Sequence, residues 1–406
     1  MKKLLLLLLP AFLFSACEQA DVKLKEAEPI PLKAGMEKRI QQDNEFALDL
    51  FRKTIASTDE KNVFISPLSV SIALGMAWNG ADTETKSEMA TALKMSGMTV
   101  DQINEYYQIM QTALPDVDPS TRLNIANSLW YRQGFALKSD YLQVNRNYFN
   151  AEIRELDFGK AGAVDTINQW CALKTNNLIK EPLDHISPEA VMYLINAIYF
   201  KGIWVKQFDK KKTFETNFYA EGGGQVRVNM MQQLDTFAYY QDDLAQYLDM
   251  PYGNKAFSMT AILPKEGKTT NDVLNTLDLQ KWGSVVSLMT PKKVHVYFPK
   301  FKTKGDYELK GPLMEMGMLK AFSEEADFSG ISNWKLFISR ILHSTYCDVN
   351  EEGTEAAAVT IIEFELTSMP DYPVFNANRP FVFVIREKST GVILFIGKMG
   401  QVELYE

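Results

Sequence analysis

Residues Glu351–Val374 read EEGTEAAAVTIIEFELTSMPDYPV, and the reading of this stretch decides how the rest of the chain is understood. Taken as a strand, one parity carries Thr354, Ala356, Ala358, Thr360, Ile362 and Phe364, with no charge at all. The other carries Glu355, Ala357, Val359, Ile361, Glu363 and Glu365. Side chains alternate across a strand, so one face is fit for burial and the other for water. Yet Gly353 precedes the pattern, Pro370 and Pro373 close it, and no short turn joins it to a neighbour. A would-be strand strung between elements like a loop is unusual, and long exposed loops in compact domains are generally functional or disordered. An ordinary edge strand also accounts for the alternation.

On the N-terminal side, helical stretches are expected at 37–57, 101–114, 139–149 and 163–179. A further helix opens at Ser66-Pro67, with Ser66 as cap, Pro67 in the first turn and Gly80 just past the end. Strand patterns follow at 122–131, 190–200, 226–231, 257–263, 294–301, 381–385 and 392–396, the last two joined by a turn at Ser389-Thr390-Gly391. The run 190–200 is almost continuously apolar, the mark of a strand buried on both faces. Helices dominate the first half and strands the second, which predicts an α+β architecture. From about Met36 onward there is no linker, charge block or repeat, so residues 36–406 read as one domain.

Composition bounds the function. The 406 residues are 46% apolar and 23% charged, with a formal charge of −8, which argues against a general nucleic-acid or heparin binder. Three cysteines, Cys17, Cys171 and Cys347, cannot form a disulfide framework. The first residues stand apart: Lys2 and Lys3 precede an apolar run, Leu4–Phe14, that is too short for a membrane span of about 20 residues. Residues 1–16 therefore read as a signal peptide. The exit Phe14-Ser15-Ala16-Cys17 resembles a bacterial lipobox, with Phe14 where leucine is usual, and Cys17 is the expected lipidation site. Cleavage takes the formal charge from −8 to −10, and residues 17–35, polar and carrying Pro29 and Pro31, are expected to be a lipidated flexible tether. Plain secretion is the other reading of this leader.

Catalytic constellations are scarce. The three histidines, His185, His295 and His343, form no metal-binding pair, and neither a phosphate loop nor a nucleophile elbow occurs. His343 and Cys347 lie four apart on a strand, a spacing that gives no nucleophile–base contact. Cys171 beside Trp170 reads as a small core residue, and Lys210-Lys211-Lys212 as a solvated loop. No metal or cofactor is expected, and an enzyme reading has almost nothing to stand on.

A series of motifs runs from about Phe46 to the C-terminus: Asn62–Ala81 (NVFISPLSVSIALGMAWNGA), Asn196–Trp204 (NAIYFKGIW) with Phe208-Asp209, and Pro299-Lys300-Phe301. Ala326–Gly330 (ADFSG), Glu351–Ala358 and Asn378–Phe381 (NRPF) complete it. In kind and order these motifs make the chain similar to the serpin family. The resemblance implies three β-sheets, eight or nine helices and an exposed reactive-centre loop, here Gly353–Val374. It also implies a monomer that inhibits serine, and in some cases cysteine, proteases by a suicide mechanism. In that mechanism the cleaved loop inserts into the large sheet and traps the acyl-enzyme.

Residue by residue, the resemblance makes Glu351, Glu352, Gly353, Thr354, Glu355, Ala356, Ala357 and Ala358 the hinge. It places Ser66, Ser69, Asn196 and His343 in the shutter and Trp204 in the breach. Counting along the loop from Glu351 gives Thr367–Ser368 as the reactive bond, whereas counting back from Asn378 shifts it toward Met369. Phe364, Glu365, Leu366 and Met369 flank it and set specificity. Threonine at the cut with Leu366 before it suits elastase-like, subtilisin-like or papain-like proteases; no Lys or Arg lies between Glu351 and Val374, so trypsin-like enzymes are poor targets. Lipid at Cys17 implies export across the inner membrane and anchorage at the outer membrane or cell surface. Two other classes stay open: a non-inhibitory serpin acting as a binding or chaperone module, and a surface hydrolase or sugar-binding lipoprotein.

Overall fold

The computed structural model describes residues 26–354 and 372–405. Nine α-helices lie in these residues: α1 (Met36–Ala56), α2 (Pro67–Trp78), α3 (Thr83–Ala92), α4 (Val100–Asp116), α5 (Ser139–Phe149), α6 (Ala163–Lys174), α7 (Thr270–Thr276), α8 (Leu279–Leu288) and α9 (Lys310–Glu315). The strands are β1 (Asn62–Ile65), β2 (Arg122–Arg132), β3 (Glu152–Leu156), β4 (Met192–Ile203), β5 (Phe214–Tyr219), β6 (Gln225–Gln241), β7 (Ala245–Pro251) and β8 (Phe257–Pro264). They continue with β9 (Thr290–Pro299), β10 (Phe301–Glu308), β11 (Leu342–Asn350), β12 (Gly353–Thr354), β13 (Val374–Asn376), β14 (Phe381–Glu387) and β15 (Ile393–Met399). This is the expected α+β architecture.

One sheet has six strands in the order β10-β11-β12-β4-β2-β3. The other has nine, running β1-β15-β14-β8-β7-β6-β9-β13 with β5 also on β6. The expected third sheet is the far part of this nine-stranded one. The strand β6 explains the fusion: it pairs with β5 and β9 along most of its length, and its last residues, Ala238–Gln241, reach over to β7.

Helix α2 lies between the sheets, in contact with β4 and β15. Its sequence carries no charge, and all but one of its residues are buried, so it has no solvent face to preserve. Phe64 stacks on Phe383 and Phe395 at ring separations of 5.5 and 5.3 Å, tying β1 to the buried β14–β15 hairpin.

Three expectations change. Helix α6 stops at Lys174 rather than residue 179, because Asn176 and Asn177 both take left-handed backbone conformations. The run 294–301 is two strands, broken at Lys300 between Pro299 and Phe301. The tether boundary at 35 moves as well: Ile30 is buried, its N–H donates to Ser389 Oγ (3.1 Å), and the Ala27 N–H donates to the Asn254 carbonyl (3.3 Å). Residues 26–35 thus lie against the domain as a strap, while Cys17 and the rest of the tether lie outside the described residues.

Candidate functional site: the hinge and the gated sheet

Strand β11 ends at Asn350, and Glu351 and Glu352 turn the chain so that Gly353 faces Asn350 and Thr354 faces Val349. On its other edge the new strand meets β4, Gly353 opposite Ile203 and Thr354 opposite Gly202. The hinge is therefore already a hairpin wedged between β11 and β4. Backbone bonds fasten its corner: the Trp204 N–H donates to the Glu352 carbonyl and the Phe208 N–H to the Glu351 carbonyl, both at 2.8 Å. Only glycine serves at 353, since a Cβ there would lie 2.1 Å from the Gly202 carbonyl oxygen.

Thr354 is 4% exposed and points beneath the sheet, as its parity predicts. Its hydroxyl lies 3.0 Å from the Tyr252 hydroxyl. The Tyr252 ring stacks on Trp204 with centroids 4.3 Å apart, and its close approach to β4 is possible because residue 202 is glycine. Trp204 in turn donates its indole N–H to the Asn350 carbonyl (3.0 Å). Each aromatic thus holds one arm of the hairpin, Trp204 the outgoing and Tyr252 the returning one.

The two glutamates of the turn are buried but paired. Glu351 accepts from Thr213 Oγ1 (2.7 Å) and pairs with Lys300 at 3.0 Å. Burial pushes its carboxyl up, yet the Thr213 hydrogen bond and the Lys300 ammonium outweigh it and hold it below the usual carboxylate range. Glu352 pairs with Lys210. The lysine cluster at 210–212 is therefore more than a solvated loop, because its first member neutralises a buried hinge carboxylate.

Below the hinge the strand order passes from β11 to β4 only through β12. Strand β4 is bonded to β2 on one side and β11 to β10 on one side, so their other edges face each other across a cleft. The cleft has a cavity volume of about 320 Å³ and is floored by Ser69 and Val70 of α2. This is why β4 departs from the expectation of burial on both faces: Met192–Asn196 are half-exposed along the cleft, and full burial begins at Ala197.

Asn196 and His343 stand on the two lips of this cleft, each tied to the start of α2. The Ser66 N–H donates to His343 Nε2 (2.9 Å), and the Ser66 hydroxyl donates to the Leu394 carbonyl (2.7 Å). The Ser69 hydroxyl donates to Asn196 Oδ1, and the Asn196 amide donates to Asn127 Oδ1 (2.6 Å). Asn127 passes its own amide protons to Gln111 and to the Phe149 carbonyl. Burial drives the His343 pKa down to about 4, so the ring is neutral and carries its proton on Nδ1.

The comparisons with known proteins bear on this arrangement. The family model described as "Serpin (serine protease inhibitor)" matches residues 41–402. The chain belongs to the serpin family. An uncharacterized serpin-like protein of Thermococcus kodakarensis is 35% identical, the match covering 91% of this chain and 87% of that one. The crystal structure of the thermophilic serpin tengpin in its native state superposes with a TM-score of 0.85 at 34% identity, covering 93% of this chain and 97% of that chain. Human thyroxine-binding globulin in complex with thyroxine gives 0.82 at 29% identity, covering 91% and 99%. Family members are in general protease inhibitors rather than enzymes, but some do not inhibit.

In this serpin Glu351, Glu352, Gly353, Thr354 and Trp204 come together where β12 joins β11 to β4, and Ser69, Asn196 and His343 line the cleft, with Ser66 bonded to His343. Glu355, Ala356, Ala357, Ala358, Phe364, Glu365, Leu366, Thr367, Ser368 and Met369 lie outside the described residues. Among the described residues no group of three His, Cys, Asp or Glu side chains is placed to hold a metal. Burial raises the Cys347 thiol far above its ordinary range, so it supplies no nucleophile. Sequence reading missed Tyr252, Lys300, Thr213, Asn127 and Gln111. Of these only Lys300 carried a signal, its place between Pro299 and Phe301.

Proposed function

We propose that this serpin is a suicide inhibitor of serine and cysteine endopeptidases. One observation carries the reading: Gly353 and Thr354 are already paired between β11 and β4, and among the described residues no strand fills the cleft below them. The protease nucleophile attacks the Thr367 carbonyl, the Thr367–Ser368 amide bond breaks, and Ser368 leaves as a new N-terminus. Thr367 stays esterified to the enzyme while the residues after Thr354 zip into the cleft and pull the enzyme across the molecule. About ten new backbone hydrogen bonds at about 1 kcal/mol each rival the whole stability of an ordinary domain. The uncleaved form is accordingly held by a barrier rather than by equilibrium. The uncharged inward parity from Thr354 onward supports easy entry.

The targets proposed are elastase-like, subtilisin-like and papain-like proteases, engaged by a monomer held to the outer membrane or cell surface through lipid on Cys17. No heparin, nucleic acid or metal cofactor enters the scheme. A panel of such proteases on a denaturing gel tests it: a band at the combined mass, with a released fragment beginning at Ser368, is the expected result. A new N-terminus outside 367–370 overturns the bond assignment, and cleavage without any complex overturns the inhibitor reading. The likeness to thyroxine-binding globulin favours a second reading, a carrier or binding module of this fold. That reading requires the same panel to yield intact or merely nicked chain.

A further inference from the structure

Beyond β15 the chain runs on to the breach end of the six-stranded sheet, where Tyr405 lands on the corner between β9 and β10. Its N–H donates to Asn229 Oδ1 (3.2 Å), and the Asn229 carbonyl accepts the Lys300 N–H (2.8 Å). The ring receives the ammonium groups of Lys300 and Lys302 at 4.2 and 4.4 Å from its centroid. Its hydroxyl donates to Asp348 Oδ1 (2.7 Å) and accepts from the Asn350 amide (3.5 Å). Burial and the Asp348 carboxylate both raise the Tyr405 hydroxyl above its ordinary range, so it remains a donor.

One half-buried side chain past the last strand thus touches three parts of the gate: the β9–β10 corner, the end of β11 and, through Lys300, the buried Glu351 of the hinge turn. Two lysines brought to one ring repel each other, and the ring face and, for Lys300, the Glu351 carboxylate offset that repulsion. Without the ring, Lys300 is freer to turn to solvent, and Glu351 loses a partner it needs while buried.

We propose that Tyr405 is a positioning residue for loop insertion. It holds Lys300 on Glu351 and so keeps the Asn350–Gly353 turn in the shape that presents Gly353 and Thr354 to β4. The inference rests on the inhibitor reading, since insertion is the step it serves, but its first test does not.

Hydrogen exchange of the intact full chain is compared for wild type, Tyr405→Leu and Tyr405→Phe. The Trp204 and Phe208 amides report the clamp, because they bond the carbonyls of Glu352 and Glu351. In Tyr405→Leu they exchange about fivefold faster. Tyr405→Phe, which keeps the ring over both lysines, recovers most of the protection. With a trapped protease, Tyr405→Leu also diverts about fivefold more of the inhibitor into cleaved, uncomplexed product. Wild-type exchange in Tyr405→Leu overturns the proposal, and so does an equal loss of protection across the remote strand β14, which marks general destabilisation. If wild type traps no protease, the inhibitor reading falls while the exchange data still decide whether the clamp exists.

Discussion

The hydroxyl of Tyr252 meets the hydroxyl of Thr354 at 3.0 Å in a site from which water is excluded. Tyr252 directly follows β7 and Thr354 ends β12, so this contact ties the last described residue of the hinge to the layer beneath the sheet. The hydroxyl pair accepts a neutral polar residue at 354 and no other polar kind.

Thr354→Arg places a guanidinium against Tyr252 and the underside of β4, where an unpaired charge costs several kcal/mol. Insertion slows by at least about tenfold and deacylation overtakes it. The variant is expected to be cut as a substrate with little covalent complex on a denaturing gel. Undiminished complex would show that the packing of Thr354 against Tyr252 does not govern insertion.

Nicking the loop at Thr367–Ser368 should stabilise the molecule, the reverse of what a nick does to most proteins. The cleft gains a strand bonded on both edges, and the thermal midpoint rises by roughly 10–30 °C. Differential scanning calorimetry before and after limited proteolysis reads the change. A midpoint that stays or falls removes strand insertion from the mechanism.

His343 makes the gate sensitive to acid. The folded protein keeps the ring neutral to about pH 4, whereas the unfolded chain takes up the proton near pH 6.5. Stability is therefore full above pH 6.5 and lost progressively as pH falls, by about 2–3 kcal/mol at pH 4.5. Glu351, whose carboxyl lies below the usual range, adds its own loss only at lower pH. His343→Gln should flatten the denaturant midpoint between pH 6.5 and 4.5; an unchanged slope assigns the acid response elsewhere.

The strap makes a separate, purely structural prediction. Ile30 is buried against the domain with its N–H on Ser389, so Ile30→Ala is expected to cost about 1–3 kcal/mol in chemical denaturation. A cost within about 0.5 kcal/mol, the ordinary scatter of surface substitutions, means that the strap contributes nothing to the fold.

Much of this architecture was legible because local signals agreed with tertiary ones. Ser66 and Pro67 start α2 as read, and α5 spans the residues its pattern gives. Thr354, on the uncharged parity, is buried, but so are Glu351, Glu352 and Gly353, and the remainder of the hinge lies outside the described residues. The strand β11 was legible only in part: His343 and Cys347 read as strand residues, but the bounds did not, because its buried positions are His343, Thr345, Cys347 and Val349 and three non-aliphatic side chains mask the alternation. These residues are buried because α2, Phe64 and the gate surround them, a context no local window contains. The acidic corner was hidden for a related reason. Lys300 read as the interior of one long strand, and Lys210 as a solvent residue, until the fold brought both to the glutamates. The strap misled through composition, since two prolines in a polar stretch look the same whether or not one isoleucine finds a pocket.

The closure of β1 on β15 has a consequence in time. Asn62 Oδ1 accepts the Gly400 N–H across 338 residues of chain. At about 5–20 residues per second, the ribosome finishes β1 roughly 20–70 s before its partner exists. Through that interval β1 is an apolar edge without its sheet partner, and the nine-stranded sheet lacks both the β1–β15 pairing and the β14–β15 hairpin. The chain therefore cannot complete its fold while it is being made. Synthesis of β15, and not the first collapse, sets the moment at which the nine-stranded sheet can close on β1.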